Sequence, residues 1–151
     1  MNQIFQRLSS VFLYTLPLNA SIPFGNYLFY KYSFLNVLKL IIFPVAIIEQ
    51  SLPLGGLLFF LILFAGLVRN PNVPYFIRYN ACQALLLDIS LIIISYLLRI
   101  LSISSLGSTV YLFGSIIFIL TLSIFIYSIS KCIYGVEPEI PIISKSVRMQ
   151  I

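Results

Sequence analysis

Seven residues between positions 69 and 88 could do polar chemistry in a chain otherwise built from Leu, Ile, Phe and Ser: Arg69, Asn70, Asn72, Arg78, Asn80, Gln83 and Asp88. Pro71 and Pro74 stop a helix before the cluster and forbid a tight hairpin of regular helix. Tyr75, Phe76 and Tyr79 suit a membrane headgroup region, and Arg78 can reach water while its stem stays apolar. The segment is either an anchor that turns one apolar stretch into the next, or a polar docking surface for a partner or a substrate chain.

Asp88 raises a sharper question. It lies about two turns inside an apolar stretch, where an isolated carboxylate costs a few kcal/mol on insertion scales. It must be protonated, paired or facing a wet cavity. Lys39 and Lys131 approach from the same side and are candidate partners, whereas Arg99 is about 16 Å away along a helix. The expected state is the hydrated one, because Gln83 and the Ser and Thr residues of the last apolar stretch can keep water there. The competing reading is a helix-packing ion pair.

Bond-breaking chemistry finds no support. The chain has no histidine and no glycine-rich phosphate loop, and its paired acids, Glu137 and Glu139, flank Pro138 near the C-terminus. Cys82 and Cys132 cannot build a zinc site alone and are too few for a disulfide framework. They read as buried apolar thiols. No enzyme, metal or cofactor is expected.

The elements that must position these residues follow from composition. The 151 residues are 60% hydrophobic and 9% charged, against about a quarter charged in soluble domains. That excludes a water-soluble fold. The net charge of +5 is spread rather than clustered, so it speaks to membrane orientation, not to nucleic acid. Heavy use of Ile, Phe, Tyr, Asn and Lys is typical of AT-rich genomes, organelle genomes included. Met1–Arg7 shows no cleavable targeting pattern.

The chain reads as one all-α domain, residues 1–151: a polytopic helical membrane protein of about four transmembrane helices plus interfacial helices. Spanning takes roughly 20 helical residues, and only helices satisfy their own backbone in lipid. Expected spans are 34–49, 52–68, 81–101 and 109–130. Residues 1–33 are interfacial or re-entrant, 69–80 form a loop, 102–108 a short turn and 132–151 a tail. Pro44 should kink the first of these spans, and Glu49 and Arg99 fall at the face opposite the loop. Eight basic residues then share one side: Arg7, Lys31, Lys39, Arg69, Arg78, Lys131, Lys145 and Arg148. Only Arg99 lies opposite. If segment 4–18 spans instead of 34–48, Lys31 and Lys39 change sides, leaving six against three. Both counts put the termini and the 69–80 loop on the cytoplasm-like side.

The motifs Arg69–Asn72, Phe76–Asn80 and Gln83–Ile89 resemble those of the twenty-kilodalton Tic family, subunits of the translocon at the inner envelope membrane of chloroplasts. Leu16-Pro17-Leu18, Ile22-Pro23-Phe24-Gly25 and the tail from Glu139 to Gln150 fit as well, so the similarity covers most of the chain. Tyr79 and Cys82 depart from the Phe and the apolar residue expected there. The resemblance implies four spans, stromal termini, and association with other translocon subunits, translocating preproteins and membrane lipid. It implies a role bordering or forming the path for unfolded preproteins, with energy from a separate motor. Arg69, Asn70, Asn72, Arg78, Asn80, Gln83 and Asp88 are the expected path or docking residues. The missing leader pattern suggests a plastid-encoded member, with a cyanobacterial inner-membrane protein as the alternative. A small ion or solute channel and a non-conducting assembly scaffold remain the other functional readings.

Overall fold

The computed structural model describes residues 2–52, 56–102 and 107–151, with backbone only at 102, 107 and 108. The described residues are helical, without strands: α1 (Gln3–Leu13), α2 (Thr15–Ser21), α3 (Asn26–Lys31), α4 (Val37–Ser51), α5 (Gly56–Leu63), α6 (Tyr75–Ser102), α7 (Gly107–Tyr134) and α8 (Ile143–Arg148). Three helical stretches are long and apolar enough to cross a membrane, Ser33–Ser51, Tyr75–Leu101 and Thr109–Tyr134, and Gly56–Val68 is a shorter apolar one. The expected turn between the last two spans falls largely outside the described residues.

Helix α6 starts earlier than the sequence suggests. The Pro74 carbonyl accepts the first amide hydrogens, from Ile77 at 3.0 Å and Arg78 at 3.1 Å. Tyr75–Asn80, expected in a loop, are thus the first turns of α6. Proline favours this place because a helix start needs no amide hydrogen. The true loop is only Asn70–Pro74, where the Asn70 side chain accepts the Asn72 amide at 3.0 Å, a turn that asparagine forms readily. Just before it, α5 widens into a π turn at Phe64–Val68, closed by the Arg69 amide on the Phe64 carbonyl at 3.0 Å.

Proline also breaks the first apolar segment. Pro17 cannot donate to the carbonyl four residues back, at Leu13, and its ring crowds that group. α1 therefore ends at Leu13, and α2 begins at Thr15 with Pro17 in its first turn. Tyr14, at the joint, is fully buried. Pro44, by contrast, sits inside an α4 assigned as continuous from Val37 to Ser51.

α1 and α2 run antiparallel to α7. Arg7 donates to the Ile133 carbonyl at 3.1 Å, and Tyr14 shares the side chain of Asn80 with Cys132. At the other end a Cβ on Gly114 would sit 3.2 Å from the Phe24 carbonyl oxygen. From Arg7 to Phe24 the helical rise is about 26 Å, nearly the thickness of a bilayer core. Residues expected in an interface thus form a broken rod along the full bundle. Gly25 closes it, because a Cβ there would lie 2.8 Å from the Phe118 ring and 2.9 Å from Phe29, and such overpacking costs about 1–3 kcal/mol.

α4 and α5 run back along this rod in sequence. Lys39 lies over the ring of Phe29, 4.7 Å from its centroid, so α4 begins near the Phe24 end. Glu49 accepts from Asn19, about 18 Å of helical rise from Arg7 and about 8 Å from Phe24, and touches the Gly56 position where α5 starts. Phe59, Leu63 and Leu67 then share a groove with Phe5, Leu8 and Leu16. Each of α4 and α5 covers about half of the length that α6 covers alone.

Two apolar cores hold the arrangement. The larger gathers Leu13, Leu16, Leu18, Val45, Val68 and Leu85. The smaller, around Phe24, Phe29, Leu91 and Phe118, includes an edge-to-face pair, Phe29 and Phe118, with centroids 5.1 Å apart. Such pairs add about 0.5–1.5 kcal/mol beyond their burial.

Candidate functional site

The polar motif divides into a buried hub and an exposed lip. Asn80 is the centre of the hub. Its Oδ1 accepts from the Tyr14 hydroxyl at 3.0 Å and from the Cys132 thiol at 3.3 Å, and its Nδ2 donates to the Phe76 carbonyl at 2.7 Å. One amide thereby joins α1–α2, α6 and α7. Buried polar groups that find partners in this way fix a unique packing, although the Gln83 Oε1 at this end has none among the described residues.

The C-terminal segment closes the same end. The buried Pro138 carbonyl accepts from both Tyr79 Oη at 3.3 Å and Gln83 Nε2 at 3.2 Å. Cys82 donates weakly to Gln150 at 3.5 Å, and the Ser144 hydroxyl accepts the Ile140 amide at 2.7 Å. Arg148 pairs with Glu139 at 3.0 Å and Glu137 at 3.7 Å, exposed contacts that solvent screens. Residues 132–151, expected as a tail, are in part packed core: Cys132, Pro138, Ile140 and Val147 are buried. Of the expected docking residues, Asn80 and Gln83 face inward, while Arg69 and Asn72 are exposed. Arg78 donates through Nε to the Val68 carbonyl at 3.0 Å, tying the lip to the π turn.

Asp88 stands apart from the hub, midway along the 28-residue α6. Among the described residues it forms no ion pair. Lys39 lies over Phe29 and Lys131 over the Tyr127 ring, at 5.8 Å. The sequence places Glu49 and Arg99 at span ends, on the face opposite the loop. The Glu49 carboxylate is held by Asn19 Nδ2 at 2.6 Å. A cavity of about 460 Å³ opens beside it, lined by Asn19, Ala20, Ala46, Glu49, Gln50 and Gly56.

The hydroxyls of α7 do not line this seam. Ser115, Thr121, Ser123 and Ser130 each donate to the carbonyl four residues back, at 2.8–3.0 Å. Self-satisfied hydroxyls of this kind leave small residues for close packing. Sequence reading also missed Tyr14, Asn19 and Pro138. Their partners lie 66, 30 and 59 residues away, a separation no local pattern reports.

Fold and site define a small helical membrane protein with a buried polar hub near one end and a separate cavity lined by Asn19, Glu49 and Gln50. Residues 2–147 match the family described as chloroplast import apparatus Tic20-like. The chain belongs to that family. It is 33% identical over 97 residues to a Tic20 family protein of Synechocystis, covering 62% of this chain and 61% of that protein. To the protein TIC 20-II, chloroplastic, of Arabidopsis thaliana it is 36% identical over 96 residues, 64% of this chain and 46% of that protein. To TIC 20-v, chloroplastic, of the same plant it is 31% identical over 154 residues, 96% of this chain and 70% of that protein. The matches thus span less than two thirds of the first two relatives.

Proposed function

We propose that this protein is a subunit of the protein-import translocon of the plastid inner envelope membrane. Its mid-depth seam of Asn19, Glu49, Gln50 and Asp88 borders a hydrated path for unfolded preproteins. Membership of the Tic20-like family supports the first statement. One observation carries the second: the Glu49 carboxylate, held by Asn19 Nδ2 at 2.6 Å, borders a cavity of about 460 Å³, and Asp88, halfway along α6, has no ion pair among the described residues. In hydrocarbon that arrangement is costly, and water relieves it. The hub built on Asn80 and Gln83 holds the surrounding helices in place. The exposed Arg69 and Asn72 are left to meet a neighbour outside the bundle, and other translocon subunits are partners of the whole. Import of a radiolabelled preprotein into organelles depleted of the chain should fall and recover when the chain is resupplied. Unchanged import would remove the assignment.

The same reading includes a topology of four crossings: α1–α2, α4–α5, α6 and α7. Arg7, Arg69, Arg78, Lys131, Lys145 and Arg148 then face the stroma with both termini. Lys31, Lys39 and Arg99 face the intermembrane space. Six against three still satisfies the bias toward basic residues on the inner side. A cysteine introduced at Lys31 should react with an impermeant reagent from the intermembrane side, and one at Asn72 only from the stroma. Labelling of both positions from the stroma would restore residues 34–49 as a complete span and return α1–α2 to the interface.

A further inference from the structure

We propose that the groove between α1 and α5 holds one acyl chain of an anionic membrane lipid, with its headgroup at Arg69 and Arg78. This names the outside neighbour of the polar lip and rests only on the bilayer placement of the bundle, not on transport. The groove has a volume of about 430 Å³ and its walls are Phe5, Leu8, Phe12, Phe59, Leu63 and Leu67, with Ser9 the one polar side chain. Val73 and Ile77 complete it at the lip. Phe5, Leu8 and Phe12 are exposed, so the groove opens sideways, where a membrane protein meets lipid.

Shape favours a chain over a helix. From Phe5 to Leu16 the helical rise is about 16 Å, half of a hydrocarbon core of about 30 Å. All the space in the groove, about 930 Å³, gives over that length a cross-section of at most about 58 Å². A helix 10 Å across needs roughly 80 Å². One leaflet's acyl chain matches the length and enters the groove, whereas a partner helix is too wide.

Charge chooses among lipids. The groove ends at Val73 and Ile77, in the segment that carries Arg69 and Arg78. The exposed Arg69 guanidinium lies over the Phe64 ring, 5.7 Å from its centroid. Arg78 uses Nε on the Val68 carbonyl, and its terminal nitrogens form no ion pair among the described residues. Glu137 and Glu139 are engaged by Arg148 instead. Two guanidinium groups without a carboxylate at the headgroup level complement a phosphate or sulfonate, not a neutral headgroup.

The test reconstitutes the protein in vesicles of equal phosphatidylglycerol and phosphatidylcholine, extracts it gently, and counts retained lipid by native mass spectrometry. The wild type should keep one lipid and favour phosphatidylglycerol by about fivefold per arginine. Arg69→Gln should lose that much of the preference yet keep the lipid. Ser9→Phe, which fills the groove from its floor, should lose lipid of both kinds, and Leu8→Trp serves if Ser9→Phe does not accumulate. Equal retention of both lipids by the wild type, or undiminished retention in the filled variants, would overturn the proposal. So would a photoreactive probe at Leu63 that attaches, in native membranes, to another polypeptide rather than to lipid. Each of these outcomes leaves the import and topology experiments standing or falling on their own.

Discussion

Asn80→Ala should destabilise the bundle by about 1–3 kcal/mol, the cost of leaving a buried donor without its acceptor. The donor is the Tyr14 phenol, 3.0 Å from Asn80 Oδ1, in a site where neither residue meets solvent. Cys132 loses its contact at the same time. Tyr14→Phe alone should cost less, because the amide keeps Cys132 and the Phe76 carbonyl. Combined with Asn80→Ala it should add little, since no donor remains to be orphaned. A double-mutant cycle on thermal unfolding in detergent reads this directly. Strict additivity of the two losses would mean that the hub is not a unit. Because Asn80 is internal, a change there alters accumulation before it alters any outside contact. Arg69→Gln and Asn72→Ala are therefore the substitutions that probe the exposed lip.

Asp88→Asn should behave in the opposite way. If Asp88 were one half of a buried ion pair, removing its charge would strand a cation and cost about 3–5 kcal/mol. Among the described residues no cation pairs with it. Neutralising it strands no partner, so stability should change by less than about 1 kcal/mol, while preprotein import slows. Adding Lys39→Met or Lys131→Met should rescue nothing, since both amines lie over aromatic rings elsewhere. Loss of the protein in Asp88→Asn, restored in either double variant, would make Asp88 structural.

The long helices were legible because their apolar runs are unbroken: α6 and α7 come from charge-poor stretches with turn residues between them. The polar motif was legible as an anomaly, and its position next to a proline-braked turn was read correctly. Its depth was not, because Pro74 looks like a helix stop yet serves as the helix start. The packing of the first helices was hidden for a related reason. Ser10, Thr15, Asn19, Ser21 and Pro17 argue against a span facing lipid, but Ser10, Thr15, Pro17 and Ser21 are buried between helices, where lipid is no longer the solvent. Glu49 gave no local sign of its partner Asn19, which lies 30 residues away. The hub partners Tyr14, Cys132 and Pro138 carry no local signal at all, being ordinary apolar or aromatic residues until the fold brings them to α6.

The claim that the mid-depth seam borders the preprotein path is tested most directly by crosslinking. A photoreactive side chain is placed at Gln50 or Ala46, both lining the cavity beside Glu49, and in a control at Leu120 or Ile126, exposed on α7. A radiolabelled preprotein is then arrested in transit and the sample irradiated. The account predicts adducts to the preprotein from Gln50 and Ala46 that disappear when the arrested chain is released, with none from the α7 positions. Adducts from the α7 positions alone, or none from any position while the preprotein is demonstrably held in the membrane, would contradict it.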